Sequence, residues 1–163
     1  MADSDKTKTL HDLIKDIRFA MFTTSGPDGS LRSRPMTTQN DPHRDPDSLW
    51  FFASRSGEPV ADLLRNPAVN AAFADPSSDA YVSVSGSAAV VEDDERKKQL
   101  WSKFAEAWFP GGPTDPDLAL VRVAIEQAEY WNVRESKVTQ LLKMARANLT
   151  GNPPTDMGEH EKL

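Results

Sequence analysis

Tyr81-Val-Ser-Val-Ser-Gly-Ser-Ala-Ala-Val90 is the clearest alternation in the chain. In an extended strand successive side chains point to opposite faces, so Val82, Val84, Gly86, Ala88 and Val90 share one face while Ser83, Ser85 and Ser87 share the other. The two faces have different fates, one apolar and one polar. Immediately upstream, Val69, Ala71 and Phe73 alternate in a further strand that stops at Asp75-Pro76, and Asn66-Pro67 separates it from a short helix over 60–65. Downstream, Asp93 or Asp94 caps a helix reaching Trp108, with Leu100, Trp101, Phe104 and Trp108 on its apolar side, until Pro110-Gly111-Gly112-Pro113 breaks it.

Working further outward, Leu10, Leu13, Ile14 and Ile17 recur at helical spacing, and Thr9 with Asp12 fits a capping box, which predicts a helix over 10–17. The aromatic run at 18–24 predicts a strand, Ser25-Gly26-Pro27-Asp28-Gly29 a hairpin turn, and 31–38 the returning strand. Pro35 inside that strand cannot donate a ladder hydrogen bond, so it points to an edge or an interrupted pairing. Pro42 and Pro46 mark a loop over 40–47, followed by a strand over 49–53 and a loop over 54–59. Past the helix breaker, strands are expected at 120–125 and 129–133. Ser136 then caps a last helix carrying Val138, Leu141, Leu142 and Ala145. This makes about six strands, mostly joined by hairpin-length connections, with helices outside them and no βαβ repetition. A mainly β fold follows, a six-stranded antiparallel barrel with outer helices.

The 163 residues suit one domain, taken as 8–147 with flexible tails at 1–7 and 148–163. The chain has no Cys, which excludes disulfides, thiolate metal sites and a cysteine nucleophile. Its 25 acidic and 19 basic residues give a net charge of -6, unfavourable for general attraction to nucleic acid or an anionic membrane surface. The polar start at 1–9 lacks a signal-peptide core, and no stretch approaches the roughly 20 apolar residues that span a bilayer, so a soluble cytoplasmic protein is expected.

His11, His43 and His160 are dispersed, so no metal site is expected. No nucleophile elbow, phosphate-binding P-loop or dinucleotide fingerprint is present, and the Asn148-Leu149-Thr150 sequon is read as chance. The cations are more informative. Between Lys15 and Lys97, setting the histidines aside, every basic residue is Arg, namely Arg18, Arg32, Arg34, Arg44, Arg55, Arg65 and Arg96. Compositional bias would account for this, but the rigid guanidinium fork also suits phosphate and carboxylate. Arg32 and Arg34 share one face of a strand and would repel each other without a nearby anion. The loop Ser54-Arg55-Ser56-Gly57, just after Trp50-Phe51-Phe52, offers hydroxyls, backbone N–H groups and another guanidinium, a combination that suits a phosphate.

Taken in order, Arg32–Met36 (RSRPM), Leu49–Phe52 (LWFF), Asn66–Asn70 (NPAVN), Phe73–Pro76 (FADP), Tyr81–Gly86 (YVSVSG), Ala107–Pro113 (AWFPGGP) and Glu129–Trp131 (EYW) resemble the bacterial general stress proteins. These belong to the pyridoxamine phosphate oxidase-like, flavin-binding split barrels. The resemblance covers about 10–147. It implies a homodimer of split barrels with two FMN molecules at the subunit interface, FAD being a possible substitute. It also implies that Ser33, Arg34, Pro35, Met36 and Thr37 lie along the flavin, with Arg34 or Arg32 toward the phosphate. Phe52, Ala53 and Ser54 would form the next contact strand, with Arg55 and Gly57 in the phosphate loop. Tyr81 would approach from the second subunit beside Ser83 and Ser85, and Trp108, Phe109 and Trp131 would wall the ring unless they serve packing.

Two departures bear on function. The usual phosphate-binding Lys is missing from Gly57-Glu58-Pro59, and Glu58 would repel a phosphate. Ser136-Lys137-Val138 carries neither the Arg nor the His of a true pyridoxamine phosphate oxidase, so vitamin B6 oxidation is not expected. The leading expectation is therefore a flavin-binding stress protein acting as an oxidoreductase or as a flavin buffer or sensor. Alternatives are an interaction module that has lost its cofactor and a deazaflavin-dependent reductase on the same barrel. Haem is disfavoured by the absent Cys and dispersed His.

Overall fold

The structure, a computed structural model, describes residues 3–41, 44–132, 137–153 and 159–162. Pro42 and His43 of the expected loop, Val133 at the end of the last expected strand and Ser136, the expected cap, lie outside the described residues. In chain order the elements are α1 (Asp3–Ile14), β1 (Ala20–Ser25), β2 (Leu31–Met36), β3 (Ser48–Ser54), α2 (Glu58–Arg65), β4 (Ala68–Asp75) and β5 (Ala80–Val91). There follow α3 (Asp94–Leu100), α4 (Lys103–Trp108), β6 (Leu118–Asn132), α5 (Lys137–Thr150) and β7 (Glu159–Lys162).

All strand pairs are antiparallel and form one sheet in the order β2-β1-β4-β5-β6-β3, with β7 also on β6. The sheet curls around its core without closing. Among the described residues, β2 and β3 are not paired as strands, and just past β2 an isolated bridge joins Thr38 to Phe51, backed by the Gln39 N–H donating to the Trp50 carbonyl at 2.7 Å. The barrel is therefore split between β2 and β3. Pro35 falls on an edge strand, where its missing N–H leaves no ladder bond unmade.

The alternation in β5 is realised as expected. Val82, Val84 and Ala88 are buried against Phe22, Phe51, Phe73, Val121 and Val123 inside the curl, while Tyr81 and Ser85 are exposed outside. β3 is buried on both faces, which is why it reads as a continuous aromatic and apolar run. Leu49, Phe51 and Ala53 enter the main core. Trp50 and Phe52 enter a second cluster with Ala105, Leu118 and Leu120, flanked by Leu100, Trp101 and Phe109.

Several boundaries differ from the sequence expectations. The first helix starts at Asp3 and ends at Ile14, so Thr9 lies inside it rather than at its N-cap, while Ile17 packs against the core from beyond its end. The helix expected to run to Trp108 is two helices, broken at Trp101-Ser102. Asp93 caps the first by accepting from the Arg96 N–H at 2.9 Å, and Ser102 caps the second by accepting from the Ala105 N–H at 3.3 Å. The break turns Trp101 onto Phe52, with ring centroids 5.6 Å apart.

The two strands expected at 120–125 and 129–133 are one strand, β6, whose interruption is a bulge. Ser85 faces Gln127 but Gly86 faces Ile125, leaving Glu126 as the extra residue. Merging those two leaves six of the expected strands, and Glu159–Lys162, expected to be flexible tail, pairs with β6 as a seventh among the described residues. There His160 stacks on Trp131 at 4.8 Å, and His160 and Lys162 both reach the Glu129 carboxylate, at 3.2 and 3.3 Å. α5 likewise runs to Thr150, past the expected start of the tail.

Candidate functional site

A cavity of about 520 Å³ lies between the end of β2, β3 and α4, where the barrel is split. This is within the ordinary range for small-molecule sites, roughly 300 to 1,000 Å³. Pro35, Met36, Thr37 and Gln39 line it from the free edge, Phe52 from β3, and Phe104, Ala105, Trp108 and Phe109 from α4 and its end, with Phe19 at the rim. Trp108 is 72% exposed, so its indole stands over the opening with little packing of its own. An aromatic-lined slot beside the unpaired edge of a strand can hold a flat ring between side chains and offer backbone polar groups to its rim.

Of the residues picked out from sequence, Pro35, Met36, Thr37, Phe52 and Trp108 are brought together here, with Phe109. The others are elsewhere. Ser33 is on the outer face of the sheet, bonded to the Thr23 hydroxyl at 2.6 Å. Ala53 is in the main core. Tyr81 is on the outer face beside Trp131, in a row with Ala74.

Arg32 and Arg34 do share a face and do have an anion between them, but it comes from within the chain. Asp62 on α2 is 1% exposed, with Oδ1 accepting from Arg32 at 2.6 Å and from Arg65 at 3.1 Å, and Oδ2 accepting from the Thr24 hydroxyl at 2.7 Å. Arg34 donates to the Thr24 hydroxyl at 2.7 Å and to the Phe22 carbonyl at 3.3 Å, and its other terminal nitrogen is 3.8 Å from Asp62. Glu58 also has a cation, Arg32, at 3.1 Å. The network gathers partly exposed arginines around one buried carboxylate. Removing Arg34 therefore disturbs a structural ion cluster, and an Arg34→Ala variant reports on stability before it reports on any ligand.

The loop after β3 has the donors expected of an anion cradle, and an internal carboxylate fills it. Asp117, just before β6, accepts from the Ser54 hydroxyl in a short hydrogen bond and from the Ser56 N–H at 2.9 Å. These bonds, the Ser54 hydroxyl first, hold the Asp117 carboxyl below its usual range. Arg55 forks onto Glu92 at 2.7 and 3.1 Å, and Gly57 turns the loop by donating its N–H to the Ser54 carbonyl at 2.9 Å. Ser54 lies on the same face as Phe52, about 7 Å further along the strand, so the cradle adjoins the cavity.

Asp62 and Asp117 are not among the residues the sequence points to. Asp62 had a signal, an acid placed among the apolar Val60, Leu63 and Leu64 of a short helix. Asp117 had none before the pairing of β3 with β6 brought Leu118 opposite Ser54. The guanidinium of Arg18, which has no distinguishing signal in the sequence, lies 4.8 Å from the Phe19 ring centre and 4.6 Å from that of Phe104, both cavity-lining.

The chain is thus a split antiparallel barrel with an aromatic-lined cavity at the split and a serine-rich polar loop beside it. The chain belongs to the pyridoxamine 5'-phosphate oxidase like family, whose model matches residues 5–155. It is 29% identical over 116 residues to general stress protein 26 of Bacillus subtilis, a match covering 69% of this chain and 79% of that protein. A candidate general stress protein 26 from Jannaschia sp. CCS1 superposes with a TM-score of 0.73 at 28% identity, covering 98% of each chain. The general stress FMN/FAD binding protein of Xanthomonas citri superposes with a TM-score of 0.67 at 32% identity, covering 82% of this chain and 92% of that one. The fold expectation, a split antiparallel barrel with outer helices, and the family resemblance both hold.

Proposed function

We propose that this chain binds a flavin, FMN or FAD, with the isoalloxazine ring in the cavity between β2, β3 and α4, and that it works as a homodimer. The observation carrying this reading is the cavity itself, where Pro35, Met36 and Thr37 on a free strand edge face Phe52 and Trp108. The Xanthomonas citri relative, described as an FMN/FAD binding protein, supports it. A bound flavin supplies electron transfer in one- or two-electron steps. The chain's own part is to sandwich the ring, exclude water from its apolar face and hold its polar rim against the edge of β2. The role that follows is oxidoreductase or flavin buffer, with a small-molecule substrate.

Support for the homodimer comes from the outer sheet face, where Met21, Tyr81 and Trp131 are 46%, 41% and 38% exposed among small residues such as Ala72 and Ser83. Such a face suits a second copy, which would also bring Tyr81 to a cavity it does not reach in its own chain. One observation favours a second reading, an interaction module without cofactor. Arg32, Arg34 and Arg55, the cations expected to meet a phosphate, are engaged by Asp62, Glu58 and Glu92.

Flavin titration separates the two readings. Added FMN or FAD should bind at micromolar concentration with quenched flavin fluorescence, and Trp108→Ala should weaken binding roughly tenfold while leaving the melting temperature nearly unchanged, since that ring is mostly exposed. Absence of binding by FMN, FAD and riboflavin alike would leave the interaction module as the better account.

A further inference from the structure

The cradle beside the cavity differs from the rest of the site in having correct donors that are already in use. Ser54 supplies a hydroxyl and Ser56 a backbone N–H, both directed at one carboxylate. The Ser56 hydroxyl is 3.1 Å from that of Ser54, adding a third polar group to the same spot. Arg55 stands between the two serines in the chain, its N–H donating to the Asp117 carbonyl at 2.6 Å and its guanidinium held beside the loop by Glu92 at 2.7 and 3.1 Å. A hydroxyl, an N–H and a nearby guanidinium recognise a phosphate monoester as readily as a carboxylate, because both present oxygens of negative charge to hydrogen-bond donors. With Arg55, Glu92 and Asp117 all ionised, the cradle already carries a net charge of about -1 before any ligand arrives.

We infer that the Asp117 carboxylate is a resident anion in a phosphate-monoester cradle formed by Ser54, Arg55 and Ser56. It sets how tightly a phosphorylated ligand binds relative to the same ligand without its phosphate. The identity of that ligand rests on the flavin reading above, whereas the competition between carboxylate and phosphate rests only on the cradle. A phosphate entering must displace Asp117 from both donors, and the displaced carboxylate stays close enough to repel it. The wild-type chain therefore gains little from the phosphate of FMN. The position of Asp117 does not depend on its side chain. Its backbone carbonyl accepts from the Arg55 N–H at 2.6 Å and its N–H donates to Asp115 at 2.9 Å, so the loop keeps its path when the carboxylate is removed.

The test compares FMN with riboflavin on the full chain, as wild type, Asp117→Ala and Asp117→Asn. Wild type should bind the two flavins within about threefold of each other. Both variants should bind FMN about tenfold tighter than wild type does, equivalent to about 1.4 kcal/mol, with riboflavin unchanged within about twofold. Unchanged or weaker FMN binding in variants that still bind riboflavin overturns the inference while leaving the flavin reading intact. If no flavin binds to any of them, inorganic phosphate becomes the probe. A rise in melting temperature with phosphate in the variants but not in wild type supports the cradle, and no rise in any of them overturns it. The Asn variant keeps the shape of the side chain, so a result survives even if the Ala variant folds poorly.

Discussion

Gly86→Ala is expected to destabilise the protein by about 3 kcal/mol or more, lowering the melting temperature by roughly 6–12 °C. Gly86 sits at the bulge where β5 changes register against β6. A Cβ built there would lie inside contact distance of the Ala124 carbonyl oxygen and 2.9 Å from Val123 Cγ1. Neither neighbour is free to retreat. Ala124 is also paired with Ser48 on the other side of β6, and the Val123 side chain is in the main core. The methyl must therefore push apart the two strands that share the longest ladder in the sheet. The bulge is also where the sequence breaks into two apparent strands, so the same residue explains a misread boundary and a point of fragility. Thermal unfolding followed by circular dichroism checks this, and a loss below about 1 kcal/mol would mean that the strands separate there at little cost.

Asp62→Ala should be nearly as damaging, at about 3 kcal/mol. Asp62 is the anion common to Arg32, Arg65 and Arg34, and its loss leaves those guanidiniums facing one another with the Thr24 hydroxyl lacking its acceptor. Because Arg32 and Arg65 retain access to water, they can turn outward, which keeps the cost at the lower end for a buried pair. Asp62→Asn isolates the charge. Burial alone would raise the Asp62 pKa, but hydrogen bonds from Thr24, Arg32 and Arg65 outweigh it and hold the pKa below the ordinary value of 3.8. A carboxyl lowered on folding adds stability above its unfolded pKa and loses it as pH falls through the folded value. The gap in urea midpoint between wild type and Asp62→Asn should therefore be full near pH 7 and close below about pH 4. A gap that stays constant down to pH 2 would show that the carboxylate's charge is not what stabilises the cluster.

Both residues mark where sequence reading stopped short. The paired faces of β5, the edge position of Pro35 and the breaker at Asn66-Pro67 were legible because alternation and turn chemistry act between neighbours in the chain. The all-Arg middle was legible as needing an anion, but the sequence offered a ligand phosphate and the fold supplied carboxylates. More than half of the cavity wall, Pro35 to Thr37 with Phe52, Trp108 and Phe109, is legible through ordered motifs. The break at Trp101-Ser102, which turns α4 over the cavity, was hidden inside what read as one amphipathic run.

By itself the sequence determined which residues alternate, where turns fall, that stability rests on packing without disulfides, and that an anion must meet the arginines. The tertiary structure alone decided which anion that is. Asp62 lies 30 positions from Arg32, and Asp117 lies 63 from Ser54, separations over which local propensity carries no information. They meet because α2 docks on the barrel and because β3 pairs with β6 in a register that sets Ser54 against Leu118. Hydrogen bonds and ion pairs depend on distances of a few ångströms, and only the closed register of the sheet fixes those.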